Sequence, residues 1–273
     1  KGGIATILAA VAQTGAQSGL TLLFYCDEEY DFAGMRAFLA QEPAGPRPEL
    51  ALIAEPSNGY IWNAHRGLIE LHLAVGGRTG HAANPAAGIN AITSLADVLR
   101  DLAGWLNRFD SPALGRPSLN VAYLRGGLNR GQPGGEVELG RDGNNIADYA
   151  EAILDIRPTL PSLRAAAVVA QVQELVTTAK LELLAADIRH DLGALATDPA
   201  NLVTLEAIVS GGYLDGRDRG YGDGQLIAEA WDIPVAYLGP AGANAHAADE
   251  WVSRRSLRQI AQTYTRIIAR YTS

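Results

Sequence analysis

Ile4, Ile7, Leu8 and Val11 recur at helical spacing and predict a helix over Ile4–Ala12. Leu20–Cys26 is apolar at nearly every position. A strand with one wet face alternates, whereas a strand covered on both faces does not, so this run predicts a buried parallel strand. Phe32–Leu39 predicts a helix, Pro43–Pro48 a loop, and Leu50–Ala54 a second buried strand. Strand, helix and strand in this order form the basic unit of a doubly wound sheet.

The pattern changes at Arg66. Leu68–Val75 alternates, with Glu70 and His72 between apolar neighbours, as in a half-exposed strand. A long amphipathic helix follows over Ile89–Leu106, then a strand over Ser118–Leu124. Gly126–Gly143 is glycine-rich and polar and predicts a long loop or hairpin. Ala150–Arg157 alternates again, Leu163–Thr178 is helical, and Leu181–Ile188 is a strand. The order β-α-β-β-α-β is the ferredoxin-like split unit. Beyond residue 192 the buried pattern returns, with helices over Leu202–Val209 and Gly224–Trp231 and a strand over Ile233–Leu238. The last helix has one apolar stripe made by Leu257, Ile260, Ala261, Tyr264, Ile267, Ile268 and Tyr271. The fold class expected is therefore α/β, with a discontinuous α/β domain at 1–65 and 192–273. An inserted α+β domain occupies 66–191.

Composition narrows the function. Apolar residues make up 48 % of the 273, enough for two cores. The net charge is −8 and no Lys/Arg stripe forms, which excludes nucleic acid and an anionic membrane surface as expected partners. No apolar run is long enough to span a bilayer. Cys26 is the single cysteine, so no intrachain disulfide forms. A reducing, cytoplasmic location is expected. Cys26 is read as a buried structural thiol. The chain opens on Lys1-Gly2-Gly3 without an initiator Met, and sequence upstream is expected.

Three apolar runs end in chemistry. Leu20–Cys26 runs into Asp27-Glu28-Glu29, Leu50–Ala54 into Glu55-Pro56, and Ile233–Leu238 into a Gly-Pro-Ala-Gly turn and then His246. Open α/β sheets bind ligands beyond the carboxyl ends of their strands, so these groups can converge on one oxygen-rich metal site. Buried carboxylates need a cation or a shared proton. Each residue also has a plainer reading: a solvated acidic turn for Asp27–Glu29, a surface histidine for His246, a helix-entry polar group for His81, and an outward surface pair for Arg157.

Together these pieces resemble one family, the superfamily of dizinc aminoacylases, acetylornithine deacetylases, succinyl-diaminopimelate desuccinylases and carboxypeptidase G. Lys1-Gly2-Gly3-Ile4 is similar to its Lys-Gly-Gly helix start, and Asp27-Glu28-Glu29 and Glu55-Pro56 to its acidic motifs. Arg66-Gly67, Gly80-His81, Pro85 and Gly88–Ile92 resemble the start of its inserted lid. Asn144, thirteen residues before Arg157, resembles its Asn…Arg pair, and His246 with Glu250 its C-terminal His…Glu.

The resemblance implies a role for each. Glu28 would be the general base and acid. Glu29 and His246 would hold one zinc, with Glu55 on the other; Co or Mn could replace zinc. His81 would steady the oxyanion in the neighbouring subunit of a homodimer, and Asn144 and Arg157 would bind a substrate carboxylate. The implied reaction is cleavage of the amide of an N-acyl amino acid. A carboxypeptidase or dipeptidase on the same scaffold is the alternative, and a non-catalytic dimeric relative is a third reading. The chain departs from the family in three ways. A His-x-Asp strand end and a bridging Asp would both precede Lys1. Ala147 stands where the family has Pro, and Leu128–Gly143 is longer than usual.

Overall fold

The computed structural model describes residues 1–15, 17–41, 45–132 and 136–272. They form two compact units, one of Lys1–His65 with Leu195–Ser273, the other of Arg66–Ala194. The first unit begins with α1 (Gly2–Thr14), α2 (Ala33–Ala40), β1 (Ala51–Ile53) and β2 (Ala64–His65). The second contains β3 (Leu68–Gly76), α3 (Ala91–Leu106), β4 (Ser118–Asn129), β5 (Leu139–Gly140), β6 (Tyr149–Arg157), α4 (Ala165–Thr178) and β7 (Glu182–Leu192). The chain then returns to the first unit with β8 (Leu195–Ala196), α5 (Val203–Glu206), α6 (Gly224–Trp231) and β9 (Val235–Tyr237). It ends with β10 (Gly242–Ala243), β11 (Trp251–Val252) and α7 (Arg254–Tyr271). The second boundary falls after Ala194 rather than at 191 because β7 runs on to Leu192.

In the first unit β1 and β9 pair in parallel, Ala51 opposite Val235 and Ile53 opposite Tyr237. Successive side chains of a strand point to opposite faces, and both faces here are covered. Leu52, Ala236 and Leu238 enter one cluster with Ile260, Tyr264 and Ile267 of α7 and Ala10 of α1. Ala51, Ile53, Val235 and Tyr237 enter another with Met35 of α2 and Ile227 of α6. Helices on both faces of a parallel pair explain why these runs are apolar throughout.

Two sequence expectations differ here. Leu20–Cys26 is extended but joins no ladder among the described residues. Its side chains nevertheless alternate. Leu23 and Tyr25 join the α2–α6 core, while Leu22 (39 % exposed) and Phe24 (50 %) face outward. A strand needs a hydrogen-bonding neighbour as well as apolar residues, and the partner of β1 is β9. Helix α1 forms as expected, with Thr6 and Ala10 buried and Ile4 and Leu8 exposed. The helix expected over Leu202–Val209 is regular only over Val203–Glu206, after a 3-10 turn at Pro199–Leu202.

The second unit is a ferredoxin-like sheet in the order β5-β4-β6-β3-β7, every pair antiparallel. Alternate residues Ile69, Leu71, Leu73 and Val75 of β3 meet Ala150, Ala152, Leu154 and Ile156 of β6, all fully buried. Helices α3 and α4 cover that face with Leu95, Val98, Leu102, Val168, Val172 and Val176. Asn90 caps α3, its side chain accepting from the amides of Ile92 (3.0 Å) and Thr93 (3.3 Å). The glycine-rich segment expected as a loop or hairpin is a hairpin, with Leu128 opposite Gly140 and Asn129 opposite Leu139. Residues 133–135 of that segment, and 43–44 of the expected Pro43–Pro48 loop, lie outside the described residues.

Leu154 sits in the middle of the second unit's core with no exposed surface. Leu154→Ala should destabilise this unit by about 2–5 kcal/mol in urea unfolding. A loss below about 1 kcal/mol would show that this core is not closely packed.

Candidate active site

The acidic motif sits on a chain reversal between the extended segment and α2. Asp27 takes φ 63° and its Oδ2 accepts the Ala33 amide at the start of α2 (3.1 Å). The Gly34 amide donates to the Cys26 carbonyl (3.2 Å). Asp27 is thereby committed to holding the turn, which leaves Glu28 and Glu29 for chemistry. Cys26 is exposed rather than buried, because its side chain lies on the outer side of the segment with Leu22 and Phe24.

Glu55 follows β1, and its position depends on two glycines. A Cβ on Gly3 would lie 2.0 Å from the Ala54 carbonyl oxygen, and one on Gly239 2.2 Å from the Glu55 carbonyl oxygen. Only glycine lets α1 and the turn after β9 press against this strand end. The Gly239 amide donates to Ser57 Oγ (3.0 Å), fixing the turn that leads to His246. The short β10–β11 hairpin then closes the loop carrying His246. His246, at φ 65°, brings Nδ1 to 3.7 Å from Glu29 Oε1, both side chains being exposed.

Behind these groups lies a buried polar layer that the sequence pattern does not reveal. Asp223, Tyr237 and His65 are all almost fully buried. Tyr237 Oη accepts the Gly224 amide (3.0 Å) and pairs with His65 Nε2 (3.1 Å). Tyr25 hydrogen-bonds Asp223, and its own hydroxyl is pushed up by burial and by that carboxylate. Burial pushes Glu28 up to about 7, with Asp223, Glu55 and Glu29 adding like-charge repulsion. Glu55 is raised by burial, then by Asp223 and Glu29, and is partly relieved by His246. No apolar periodicity marks Asp223; the one available signal was its place before a short helix that feeds a buried strand.

Among the described residues no three His, Cys, Asp or Glu side chains close around a single point. The donor set nevertheless fits a divalent cation. Glu29 and His246 already stand as a pair, Glu28 and Glu55 are held above their ordinary range by burial and then by neighbouring carboxylates, and Asp223 Oδ2 is buried without a partner among the described residues. One imidazole among carboxylates suits zinc or a harder first-row ion.

The remaining sequence candidates lie in the second unit. His81 and Asn145 form a bridge, and the Ala82 amide donates to the Asn144 carbonyl (2.8 Å). His81 Nδ1 accepts the Ala83 amide (3.1 Å), so the neutral ring carries its proton on the outward Nε2. Arg157 lies elsewhere. Asn144 precedes the first residue of β6 and Arg157 is its last, so β6, about 26 Å long at about 3.3 Å per residue, separates them. Arg157 is also held by Asp155, Nε to Oδ1 at 2.6 Å and Nη2 to Oδ2 at 2.8 Å. The structure thus brings His81 to Asn144 but does not bring Asn144 to Arg157 within one chain.

The raised Glu28 carries a sign for stability. Its folded value of about 7 exceeds the ordinary 4.5, so the proton it keeps on folding stabilises the metal-free protein at low pH. That contribution is complete below about 4.5 and is lost as pH rises through about 7. Thermal unfolding in chelator should give a lower Tm at pH 8 than at pH 5, and Glu28→Gln should flatten the difference. An unchanged Tm across this window would remove the buried charge from the account.

Comparisons with known proteins bear on the family and the fold. Residues 63–183 match the family model of the peptidase dimerisation domain. Acetylornithine deacetylase of Salmonella arizonae is 32 % identical over 162 residues, covering 57 % of this chain and 38 % of that protein. The Klebsiella pneumoniae enzyme of the same name is 32 % identical over 172 residues, covering 60 % and 41 %. The match therefore spans about two fifths of the length of these curated relatives. In fold, the chain is similar to aminopeptidase PepT of Bacillus cereus, with TM-score 0.65 and 18 % identity over 91 % of this chain and 62 % of that one. It is also similar to the Bacillus subtilis YXEP protein, a dinuclear metal-binding peptidase of the M20 family. There the TM-score is 0.65 and the identity 14 %, over 98 % and 71 %. With the peptidase dimerisation domain matched over residues 63–183, the chain is similar in sequence to acetylornithine deacetylases and in fold to peptidases that include a dinuclear metal-binding member of the M20 family.

Proposed function

We propose that the protein hydrolyses the amide bond of an N-acyl amino acid at a metal centre held by Glu29, Glu55 and His246, with Glu28 as general base and acid. The observation that carries this reading is the contrast between two adjacent glutamates. Glu29 pairs with His246, as metal ligands do, while Glu28 is half-buried and pushed up to about 7. A base poised near neutral pH both accepts and returns a proton efficiently.

Zinc, two ions per complete site with Co or Mn as substitutes, would supply Lewis acidity toward water and toward the scissile carbonyl. The other tasks fall to side chains. Glu28 takes the proton of the attacking water and delivers it to the departing amine nitrogen. The Nε2–H of His81 donates to the oxygen on which negative charge develops. Asn144 and Arg157 recognise the substrate carboxylate, the guanidinium once its fork is shared between Asp155 and the ligand. A small substrate cannot span the length of β6, so His81 with Asn144 from one subunit and Arg157 from the other would serve one site. The dimerisation domain supports that homodimer. No helix among the described residues is long and apolar enough to cross a membrane. The single cysteine favours a reducing, cytoplasmic setting.

In the natural full-length protein, Glu29→Ala and His246→Ala should each lower zinc content and abolish release of amino acid from N-acyl substrates. Glu28→Gln should keep the metal and lower kcat by about 10²–10⁴-fold. Loss of metal with Glu28→Gln would move that residue into the ligand set, and near-normal turnover would remove it from the mechanism.

The composite site has its own test. Mixed dimers of His81→Ala and Glu28→Gln chains should recover part of the activity, since one intact site forms per mixed dimer. No recovery despite measured subunit exchange would confine His81 to its own chain or exclude it from the reaction.

A further inference from the structure

Asp223 is a buried carboxylate that no step of the proposed reaction uses. It is 1 % exposed, and its Oδ2 has no hydrogen-bond partner among the described residues. The residue precedes α6 but does not cap it, since no amide of that helix donates to its side chain. Gln225, two residues on, is also 1 % exposed, and neither its amide oxygen nor its amide nitrogen is paired. The Tyr25 hydroxyl supplies one hydrogen bond to Asp223, and Tyr237 lies alongside, bonded to the Gly224 amide. Of the charged groups that act on Glu28 and on Glu55, Asp223 acts most strongly on both. A buried, incompletely partnered anion beside two other carboxylates is costly for the fold and is retained only where something positive offsets it.

Resting on the metal-centre reading above, we infer that Asp223 is a positioning residue for the cation. Its fixed negative charge, one layer behind Glu28 and Glu55, destabilises the metal-free fold and strengthens binding of a divalent ion by the same electrostatic interaction. It touches neither metal nor substrate. Groups in this outer position typically change metal affinity by about 10–100-fold when removed.

The prediction has two parts of opposite sign. In the full-length protein stripped of metal, Asp223→Asn removes the charge and keeps the shape. Its Tm in chelator should rise above wild type, while its Zn²⁺ affinity, read by competition with a chromophoric chelator, should fall about 10–100-fold. Tyr25→Phe keeps the charge and removes its donor, so the metal-free Tm should fall and the affinity should stay within a few-fold of wild type.

A wild-type protein that binds no Zn²⁺ would overturn the metal-centre reading and this inference with it. A wild type that binds, with Asp223→Asn binding equally well, would overturn the inference alone. An Asp223→Asn variant that is less stable without metal, or fails to fold, would make the carboxylate a structural brace. Equal loss of affinity in both variants would assign the effect to the shape of the network rather than to charge.

Discussion

Glu28, Glu55 and Asp223 hold three carboxylates where water has limited access, and the first unit is organised around that concentration of charge. Each would sit at the ordinary carboxylate value in water. All three are displaced upward, Asp223 by burial, and Glu28 and Glu55 by burial and then by like-charge repulsion, both of which disfavour the ionised form. The backbone leaves them little freedom to separate. Gly3 and Gly239 seat their neighbours against the Ala54 and Glu55 carbonyls, and Asp27 fixes the reversal that carries Glu28 and Glu29. The arrangement keeps negative charge where a cation would be most strongly attracted.

The second unit solves a different problem. One face of its sheet is closed by α3 and α4 and supplies the stability. The opposite face carries ion pairs rather than a second apolar layer. Arg125 joins Glu151, Tyr149 donates to the same carboxylate, and Arg157 is held by Asp155. The short β5 strand folds back beside β4, and Val137 near it packs on Ala74 and Tyr149 over this polar face. The hairpin around β5 therefore has a structural place, on the polar side of the sheet. Because β6 runs from the His81–Asn144 end of this unit to Arg157, the length of one strand separates these candidate residues.

Much of the architecture was legible because periodicity reports burial. The alternation in β3 and β6, the stripes on α3 and α7, and the uninterrupted apolar runs around β1 and β9 all follow from which faces are covered. The misreadings have the same origin. In Leu20–Cys26 the residues are those of a buried strand, yet pairing is a property of neighbours and no composition of one segment guarantees it. The spacing on α1 gave the helix but not its inner face: Thr6 and Ala10 are buried, Ile7 and Val11 pack against the core, and Ile4 and Leu8 are exposed. Asp223 passed unnoticed because a lone Asp before a short helix is ordinary in sequence; its burial and its nearness to Glu28 and Glu55 exist only after folding.

The sequence by itself determined the two kinds of unit, their order along the chain, and the residue types placed at strand ends, since local pattern and short-range spacing control those features. It also marked Glu28, Glu29, Glu55 and His246 as candidates, each just beyond an apolar run. Only the tertiary structure decided that His246 meets Glu29, that Asp27 is taken up by the turn, that Asp223 stands behind the acidic group, and that Asn144 and Arg157 lie at opposite ends of one strand. Distance and desolvation depend on which distant segments pack together, and charge acquires its chemical meaning from both.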